Sequence, residues 1–248
     1  MSRRISADEF VDAGTAAFRE ALTCMDVRLD SGAVQAVEAW FRFYSGWPGR
    51  RVTGFVDPRE AAVKLIADSF AAGYLAPDLP AGDVLDMGSG NGWPGLAVRL
   101  IRDDVRLLLL DSRLGACAFM RGFVEHSGLS GVSVVEARAE DVRSERALST
   151  RFDLVTSRAM ASPGISVELA SAFLKIGGVV ALWLGPEQED AVDSVPAIPE
   201  LGLERRRKVR YGLPFRMGDR VLAVYTKASR ALPGYPRRLS SIRAKPLL

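Results

Sequence analysis

Cysteine and histidine are scarce in this 248-residue chain. Its two cysteines, Cys24 and Cys117, are far apart in the sequence, and His126 is its only histidine. A metal site needs a cluster of such ligands, and a disulfide has no support in a reducing compartment. The composition therefore predicts a protein that binds no metal and whose chemistry depends on other residue types.

Long apolar runs are missing as well. The longest, at 179–184, is far shorter than the roughly 20 residues that a membrane-spanning helix needs. Residues 1–6 are followed by an amphipathic polar segment rather than by the apolar core of a signal peptide. From these absences we expect a cytoplasmic protein without a membrane partner.

A glycine-rich turn is the most informative feature that the chain does have. Residues 83–87 form a short apolar strand, residues 86–92 read DMGSGNG, and a helix is expected to start near Trp93 and Pro94. Glycines permit left-handed backbone angles and let a ligand lie against the main chain. A helix that follows directly presents unpaired backbone N–H groups to that ligand. The turn therefore predicts a site for a nucleotide-like cofactor at the carboxyl edge of a parallel sheet.

Two cofactor classes fit these glycines. Residues 90–95 (GNGWPG) match the dinucleotide pattern G-x-G-x-x-G, which is weak evidence by itself. Gly88 and Gly90, with Asp86 upstream, match the form D-x-G-x-G-x-G of S-adenosylmethionine-dependent methyltransferases. The next strand ends in Asp111, whose carboxylate can accept hydrogen bonds from both hydroxyls of a ribose. Because NAD-dependent enzymes use the same device, Asp111 does not separate the two classes.

The order of strands and helices does separate them. Strands are expected near 83–87, 105–110, 132–136, 153–157 and 178–184, with helices near 94–102, 113–127, 140–147 and 163–175. Two late strands, near 203–211 and 220–226, would give an α/β fold with a seven-stranded, mostly parallel sheet and helices on both faces. A final antiparallel strand is typical of the class I methyltransferase variant of the Rossmann-like fold, so the pattern favours S-adenosylmethionine over NAD.

The first 80 residues have helical patterns. A capping box at Ser6 and Glu9 opens one amphipathic helix, in which Gly14 predicts an interruption, and a second helix is expected at 33–44. Asp57 and Pro58 are suited to the N-cap and first turn of a helix that continues to about 72. We therefore divide the chain into a helical cap (1–80), a methyltransferase domain (81–228) and a basic C-terminal tail (229–248).

Positive charge is concentrated near the C-terminus. Residues 200–248 contain 13 Lys/Arg and 3 Asp/Glu, a balance of +10, and the whole chain is +3, so residues 1–199 carry −7. The tail and the run RRRK at 205–208 predict a polyanionic partner, and beside a methyltransferase motif nucleic acid is favoured. For the run at 205–208, the alternative is an exposed strand face with alternating charges. On this basis, deletion of 229–248 is expected to weaken RNA binding and to leave cofactor binding intact.

Four segments occur together in a known combination. They read LDMGSGNGWPG at 85–95, LLDS at 109–112, ARAED at 137–141 and FDLVTSRA at 152–159. With these segments and GYPRR at 234–238, the chain resembles the bacterial small-subunit (16S) ribosomal RNA guanine-N7 methyltransferase family, also called the glucose-inhibited division protein B family. The resemblance covers about 50–248 and implies S-adenosylmethionine as the cofactor, with ribosomal RNA or the small ribosomal subunit as the partner. We expect the enzyme to be a monomer.

The resemblance also implies site residues. Gly88 and Trp93 would line the cofactor, Ala139 and Glu140 would meet its adenine end, and Arg158 would orient either the guanine or the carboxylate of the cofactor. Trp93 has the alternative of a core residue at a helix start, and Arg158 that of a structural salt bridge. The motifs add two cofactor-binding residues, Gly90 and Asp111, and the tail supplies four cations for RNA binding: Arg237, Arg238, Arg243 and Lys245.

Several positions depart from the family pattern. Arg51, Leu65 and Leu184 stand where the family usually has Asn, His and Lys, and residues 239–242 read LSSI where Pro-Gly-Thr-Pro is typical. Because these positions would face the RNA, the departures concern the substrate more than the reaction. A diverged methyltransferase that acts on another RNA or on a small molecule is therefore one alternative. A NAD-dependent oxidoreductase and a non-catalytic RNA-binding module are the others.

Overall fold

The computed structural model describes residues 6–49, 52–142 and 147–248, and at 76–78 and 142 it describes the backbone alone. Arg51, one of the departures from the family pattern, lies outside these ranges. So do residues 143–146, which belong to the helix expected at 140–147. No helix in the described ranges is both long and apolar enough to cross a membrane.

A single mixed sheet forms the centre of the fold. Its strands are β1 (Gly82–Met87), β2 (Val105–Asp111), β3 (Val132–Glu136), β4 (Phe152–Arg158), β5 (Leu174–Leu184), β6 (Ala197–Ile198), β7 (Leu203–Gly212) and β8 (Asp219–Lys227). They are arranged in the order β3-β2-β1-β4-β5-β8-β7-β6. Strands β1 to β5 run parallel, whereas β8 pairs antiparallel with β5 and β7 antiparallel with β8.

The expected α/β fold and its seven strands are confirmed. The sheet has an eighth strand, β6, which the sequence analysis missed because two residues are too few to show an alternating pattern. The strand order reverses between β1 and β4, since the chain moves outward from β1 to β3 and then returns to the other side of β1. In open α/β sheets, ligands bind beside the carboxyl ends of the strands at such a point.

Helices cover both faces of the sheet. After the N-terminal helices, they are α4 (Gly95–Ile101), α5 (Leu114–Ser127), α6 (Ala139–Val142), α7 (Pro163–Ser171), α8 (Glu189–Ser194) and α9 (Leu239–Ala244). Alternate residues of β5 join opposite cores: Val179 and Ala181 belong to one hydrophobic cluster, and Val180 and Leu182 to the other. Burial on both faces explains why the central strands are apolar throughout.

The N-terminal helices are α1 (Ala7–Cys24), α2 (Ser31–Gly46) and α3 (Pro58–Glu60), which continues as a π-helix (Ala61–Ala67) and is followed by a 3-10 helix (Phe70–Asp78). The predicted interruption at Gly14 is wrong, because α1 is continuous there. A Cβ at Gly14 would lie 2.6 Å from the ring of Phe41 in α2, so this glycine permits close helix packing. Trp40 and Phe70 share one hydrophobic cluster with Leu107 of β2. The boundary at residue 80 therefore separates two kinds of secondary structure that share a core.

Candidate functional site

The glycine-rich turn lies between β1 and α4 at the carboxyl edge of the sheet. Gly88, Gly90 and Gly92 have φ angles of +75°, +59° and +96°, which side chains disfavour. The backbone N–H groups of Gly88 and Ser89 donate to the carbonyl of Leu110 at 2.8 and 3.0 Å. The turn is therefore fixed against the end of β2 before any ligand binds.

Asp111 holds the turn from the other side. Its Oδ2 accepts a hydrogen bond from the Gly90 amide at 2.8 Å, and its Oδ1 accepts one from the Arg113 amide at 2.9 Å. The Arg113 guanidinium also contacts both oxygens, at 3.2 and 3.3 Å. The side chain of Arg113 is 64% exposed, so it can leave the carboxylate without disturbing the core, and the contact of Asp111 with a ribose stays a prediction.

A first cleft of about 410 Å³ begins at this carboxylate. It brings together four residues that the sequence analysis assigned to the cofactor, namely Gly88, Asp111, Ala139 and Glu140. Ala139 is buried at the start of α6, and the Glu140 carboxylate lies 3.8 Å from the Arg138 guanidinium. Their direct contact with a cofactor stays a prediction.

A second cleft of about 570 Å³ adjoins the first, and Gly88, Arg113 and Ala159 line both. The two clefts therefore form one groove along the sheet edge. The second cleft contains the other three predicted cofactor residues, which are Gly90, Trp93 and Arg158. Two departures from the family pattern, Leu65 and Leu184, also line it. The apolar side chains at 65 and 184 are buried, so neither adds charge to the groove.

Trp93 belongs mainly to the core. Its side chain is 3% exposed, and its ring lies 6.1 Å from that of Trp40 and 5.8 Å from that of Phe70. This is the core position that the sequence analysis held as an alternative. The partners come from the N-terminal helices, so the motif alone does not reveal them.

Arg158 lies at the carboxyl end of β4, and the protein already engages its guanidinium. Nη1 donates to the Leu65 carbonyl at 2.7 Å and to Ser69 Oγ at 2.9 Å, and it lies 3.4 Å from the Asp68 carboxylate. The guanidinium is therefore a structural link between the sheet and the N-terminal helices, and it is also part of the wall of the second cleft. A direct role toward a ligand stays a prediction.

A buried network around Asp68 supports that wall. Tyr211 donates its hydroxyl proton to Asp68 Oδ1 at 2.6 Å, and the Trp183 indole donates to the Asp68 carbonyl at 2.9 Å. Arg220 Nε lies 3.5 Å from the same carboxylate. Burial, followed by the charge of Asp68, raises the pKa of Tyr211 far above its usual value, so this hydroxyl remains protonated. No local sequence pattern indicates this network, because its members come from distant elements.

Two residues of the run at 205–208 are already paired with acids, which favours the alternative of a charged strand face over that of a phosphate-binding segment. Lys208 Nζ lies 2.7 Å from both Glu189 Oε1 and Asp193 Oδ2, and Arg205 is 3.4 Å from the Asp193 carboxylate. Acids of α8 thus neutralise cations that a count of charges had treated as free.

Arg237, one of the four tail cations predicted to contact RNA, is likewise paired with an acid. Its guanidinium donates to both oxygens of the buried Glu168, with Nη2 2.6 Å from Oε2. By contrast, Arg238, Arg243 and Lys245 are exposed. A contact of Arg237 with RNA would have to compete with this pair, and RNA contacts of all four tail cations stay a prediction. Within the described part of the chain, no group of three or more His, Cys, Asp or Glu could hold a metal ion.

Asp86, the first residue of the glycine motif, is buried beneath the turn. Its Oδ1 accepts a hydrogen bond from Thr156 at 2.6 Å. Burial raises the pKa of this carboxyl from 3.8 to about 6, against the opposing effect of the Thr156 hydroxyl. A carboxyl at this place is therefore costly to ionise at neutral pH.

The raised pKa of Asp86 predicts a pH-dependent stability. The folded state holds the proton of Asp86 more tightly than the unfolded chain does. The stability that this proton contributes is therefore fully present at pH values well below 3.8 and is lost as the pH rises through about 6. Relative to Asp86→Asn, the wild-type free energy of unfolding should fall by about 2 kcal/mol between about pH 4 and pH 7. Urea unfolding of both proteins across this range measures the difference, and parallel pH curves would contradict it.

Gly88→Val is expected to weaken cofactor binding and also to destabilise the fold. A Cβ here would lie 2.5 Å from Met160 Cγ, and the φ of +75° strains a β-branched residue. The expected loss is about 1–3 kcal/mol, measured by thermal unfolding without ligand. Gly90→Ala is the milder comparison, because its Cβ would meet the flexible end of Arg113 at 3.3 Å and the Gly88 carbonyl at an ordinary 4.0 Å. A Gly88→Val protein as stable as the wild type would refute this expectation.

The fold and the groove together define a class I methyltransferase. Its features are the antiparallel β8 beside β5, the glycine turn at the switch point and the acid at the end of β2. More narrowly, the chain belongs to the family described as rRNA small subunit methyltransferase G, whose model matches residues 49–201. The resemblance inferred from the motifs is thereby confirmed.

Similar proteins agree with this membership. A protein of Carboxydothermus hydrogenoformans named ribosomal RNA small subunit methyltransferase G is 30% identical over 221 residues, which cover 88% of this chain and 94% of that protein. The protein of the same name from Thermotoga maritima is 37% identical over 169 residues, 67% of this chain and 69% of that protein.

Solved structures share the fold at lower identity. A predicted O-methyltransferase from Agrobacterium tumefaciens has a TM-score of 0.51 and 23% identity, covering 66% of this chain and 82% of that chain. The cofactor-bound Rv0187 from MTB has a TM-score of 0.53 and 16% identity, covering 81% of this chain and 91% of that chain. At such identities the likeness concerns the fold alone.

Proposed function

We propose that this protein transfers a methyl group from S-adenosylmethionine to N7 of a guanine in small-subunit ribosomal RNA. The observation that carries the proposal is the continuous groove, whose two halves meet at Gly88 beside the glycine-rich turn. The family membership supports the ribosomal RNA as substrate. An enzyme with this substrate would act in the cytoplasm, and we expect it to work as a monomer.

The residues of the first cleft fit the adenosine half of the cofactor. Asp111 offers carboxylate oxygens for the ribose hydroxyls, and Glu140, with the backbone N–H of Ala139, can pair with the edge of an adenine. Gly88 lines both clefts, and a side chain there would collide with that of Met160, so the close packing of the turn at this point requires glycine.

Alignment is the main task of this site. When bound, the cofactor would supply an electrophilic methyl on a sulfonium, for which the in-plane lone pair of guanine N7 is a suitable nucleophile. N7 carries no proton before the reaction, so the protein needs no general base. What the chain contributes is a fixed turn, a rigid wall supported by Arg158 and Asp68, and exclusion of water from the reacting atoms.

The second cleft has polar groups that suit a guanine. Lys64 and Glu187 both line it, and the Lys64 ammonium is paired with Glu60 at 2.7 Å. An ammonium can donate to guanine O6, and a carboxylate can accept from its N1–H and amino groups. Outside the groove, the exposed cations Arg238 and Lys245 are suited to RNA phosphates.

The proposal is tested by transfer of a labelled methyl group from S-adenosylmethionine to unmodified small-subunit ribosomal RNA and to assembled small subunits. Mass spectrometry of the nucleosides should detect 7-methylguanosine in at least one of them. Binding of S-adenosylmethionine with no label in either substrate would overturn the assignment of this RNA. The enzyme would then be a methyltransferase for another RNA or for a small molecule.

A further inference from the structure

The C-terminal tail packs along α7 instead of extending into solvent. Ile242 of α9 is completely buried, in the same hydrophobic cluster as Val167 and Leu169 of α7. At the start of α7, a Cβ on Gly164 would lie 2.5 Å from the carbonyl oxygen of Leu248. The tail therefore follows α7 closely, and the glycine there makes room for the last residue.

A buried ion pair fixes the position of this tail. Glu168 of α7 is completely buried, and its Oε1 accepts from the Arg237 amide at 2.7 Å and from Arg237 Nε at 2.9 Å. Its Oε2 accepts from Arg237 Nη2 at 2.6 Å. Because Arg237 directly precedes the N-cap of α9, this bidentate pair sets where the helix lies.

One face of α9 forms part of the first cleft. Leu239 and Arg243 are four residues apart and therefore lie on the same side of the helix. Both line the cleft that also contains Asp111, Ala139 and Glu140. The other two arginines of this cleft already have acidic neighbours, since Arg113 is 3.2 Å from Asp111 and Arg138 is 3.8 Å from Glu140. The guanidinium of Arg243, by contrast, has no hydrogen-bond or ion-pair partner among the residues that the structure describes.

We propose that Leu239 and Arg243 bind the adenosine half of S-adenosylmethionine, so that the tail forms a wall of the cofactor site. Leu239 supplies apolar surface, and the planar guanidinium of Arg243 supplies a cation suited to the π-face of an adenine. This inference rests on the proposed function and divides the tail between two ligands. Arg243 belongs to the cofactor, whereas Arg238 and Lys245 remain for RNA. The sequence predicted that deletion of 229–248 leaves cofactor binding intact. With this wall in place, we expect the deletion to lower the affinity for the cofactor instead.

Calorimetric titration of Arg243→Ala tests the proposal, with 5′-methylthioadenosine and S-adenosylhomocysteine as probes and no RNA present. The first probe lacks the amino-acid half of the cofactor, so equal losses for both probes locate the contact at the adenosine. We expect affinity for each to fall about fivefold, the effect of one cation–π contact. Leu239→Ala should weaken both probes as well, because it removes apolar contact surface.

The matched control is Arg238→Ala, which removes the same charge at the N-cap of α9, outside the lining of the cleft. It should bind both probes within twofold of the wild type. Wild-type affinity in Arg243→Ala, with a melting temperature equal to that of the control, would overturn the proposal. A loss confined to S-adenosylhomocysteine would also overturn it, since the contact would then be to the amino-acid half. If the wild-type protein bound neither probe, the proposed function would fail, and this inference with it.

Discussion

Replacement of Asp111 by alanine should weaken S-adenosylmethionine binding at least 100-fold. A carboxylate that accepts both ribose hydroxyls makes two charge-assisted hydrogen bonds, each worth about 1.5–3 kcal/mol, or about 3–6 kcal/mol together. The same substitution removes the acceptor of the Gly90 and Arg113 amides, so the glycine turn also loses its brace. Calorimetric titration or equilibrium dialysis measures the affinity directly, without dependence on an RNA substrate.

Two further variants show which part of this loss comes from the ribose. Asp103→Ala removes an exposed carboxylate from the turn before β2 and should bind the cofactor like the wild type. Asp111→Asn keeps one oxygen that can accept from the Gly90 amide, so it preserves the turn while losing the charge and one acceptor. An Asp111→Ala protein that binds within threefold of the wild type would show that the ribose lies elsewhere.

The meeting of several predicted cofactor residues at one sheet edge could be predicted because these residues come from contiguous motifs. Gly88, Gly90 and Asp111 lie at the ends of adjacent parallel strands, and parallel topology brings those ends to one edge. Ala139 and Glu140 follow the next strand, β3, and line the first cleft with Gly88 and Asp111. In each case, the residue closely follows a predicted strand, and parallel strands end at the same edge of a sheet, so the position of the residue could be inferred.

The rest of the site depends on pairings that the sequence does not encode locally. Asp68 meets Tyr211 across 143 residues, and Glu168 meets Arg237 across 69. A count of charges treats Arg205, Lys208 and Arg237 as available to RNA, whereas the fold pairs each with an acid. The basic character of the C-terminal region is therefore partly internal, and fewer cations than the composition suggests remain for an RNA partner.

The pair between Glu168 and Arg237 leads to the second large effect: Glu168→Ala should lower the free energy of unfolding by about 3–5 kcal/mol. Removal of one partner of a buried ion pair leaves the other charge uncompensated, which is destabilising by that amount. Here the Arg237 side chain is only 18% exposed, and its backbone amide would lose its acceptor as well.

Chemical denaturation measures this loss against Glu204→Ala, which removes an exposed acid from β7 and should change stability by less than about 0.5 kcal/mol. The double variant Glu168→Ala/Arg237→Ala should be more stable than the sum of the single changes implies, because the second substitution removes the uncompensated charge. Since this pair positions α9, Glu168→Ala should also weaken 5′-methylthioadenosine binding under conditions where the protein remains folded. A loss below 1 kcal/mol would mean that the tail is held by apolar contacts such as those of Ile242, and that the ion pair adds little to its position.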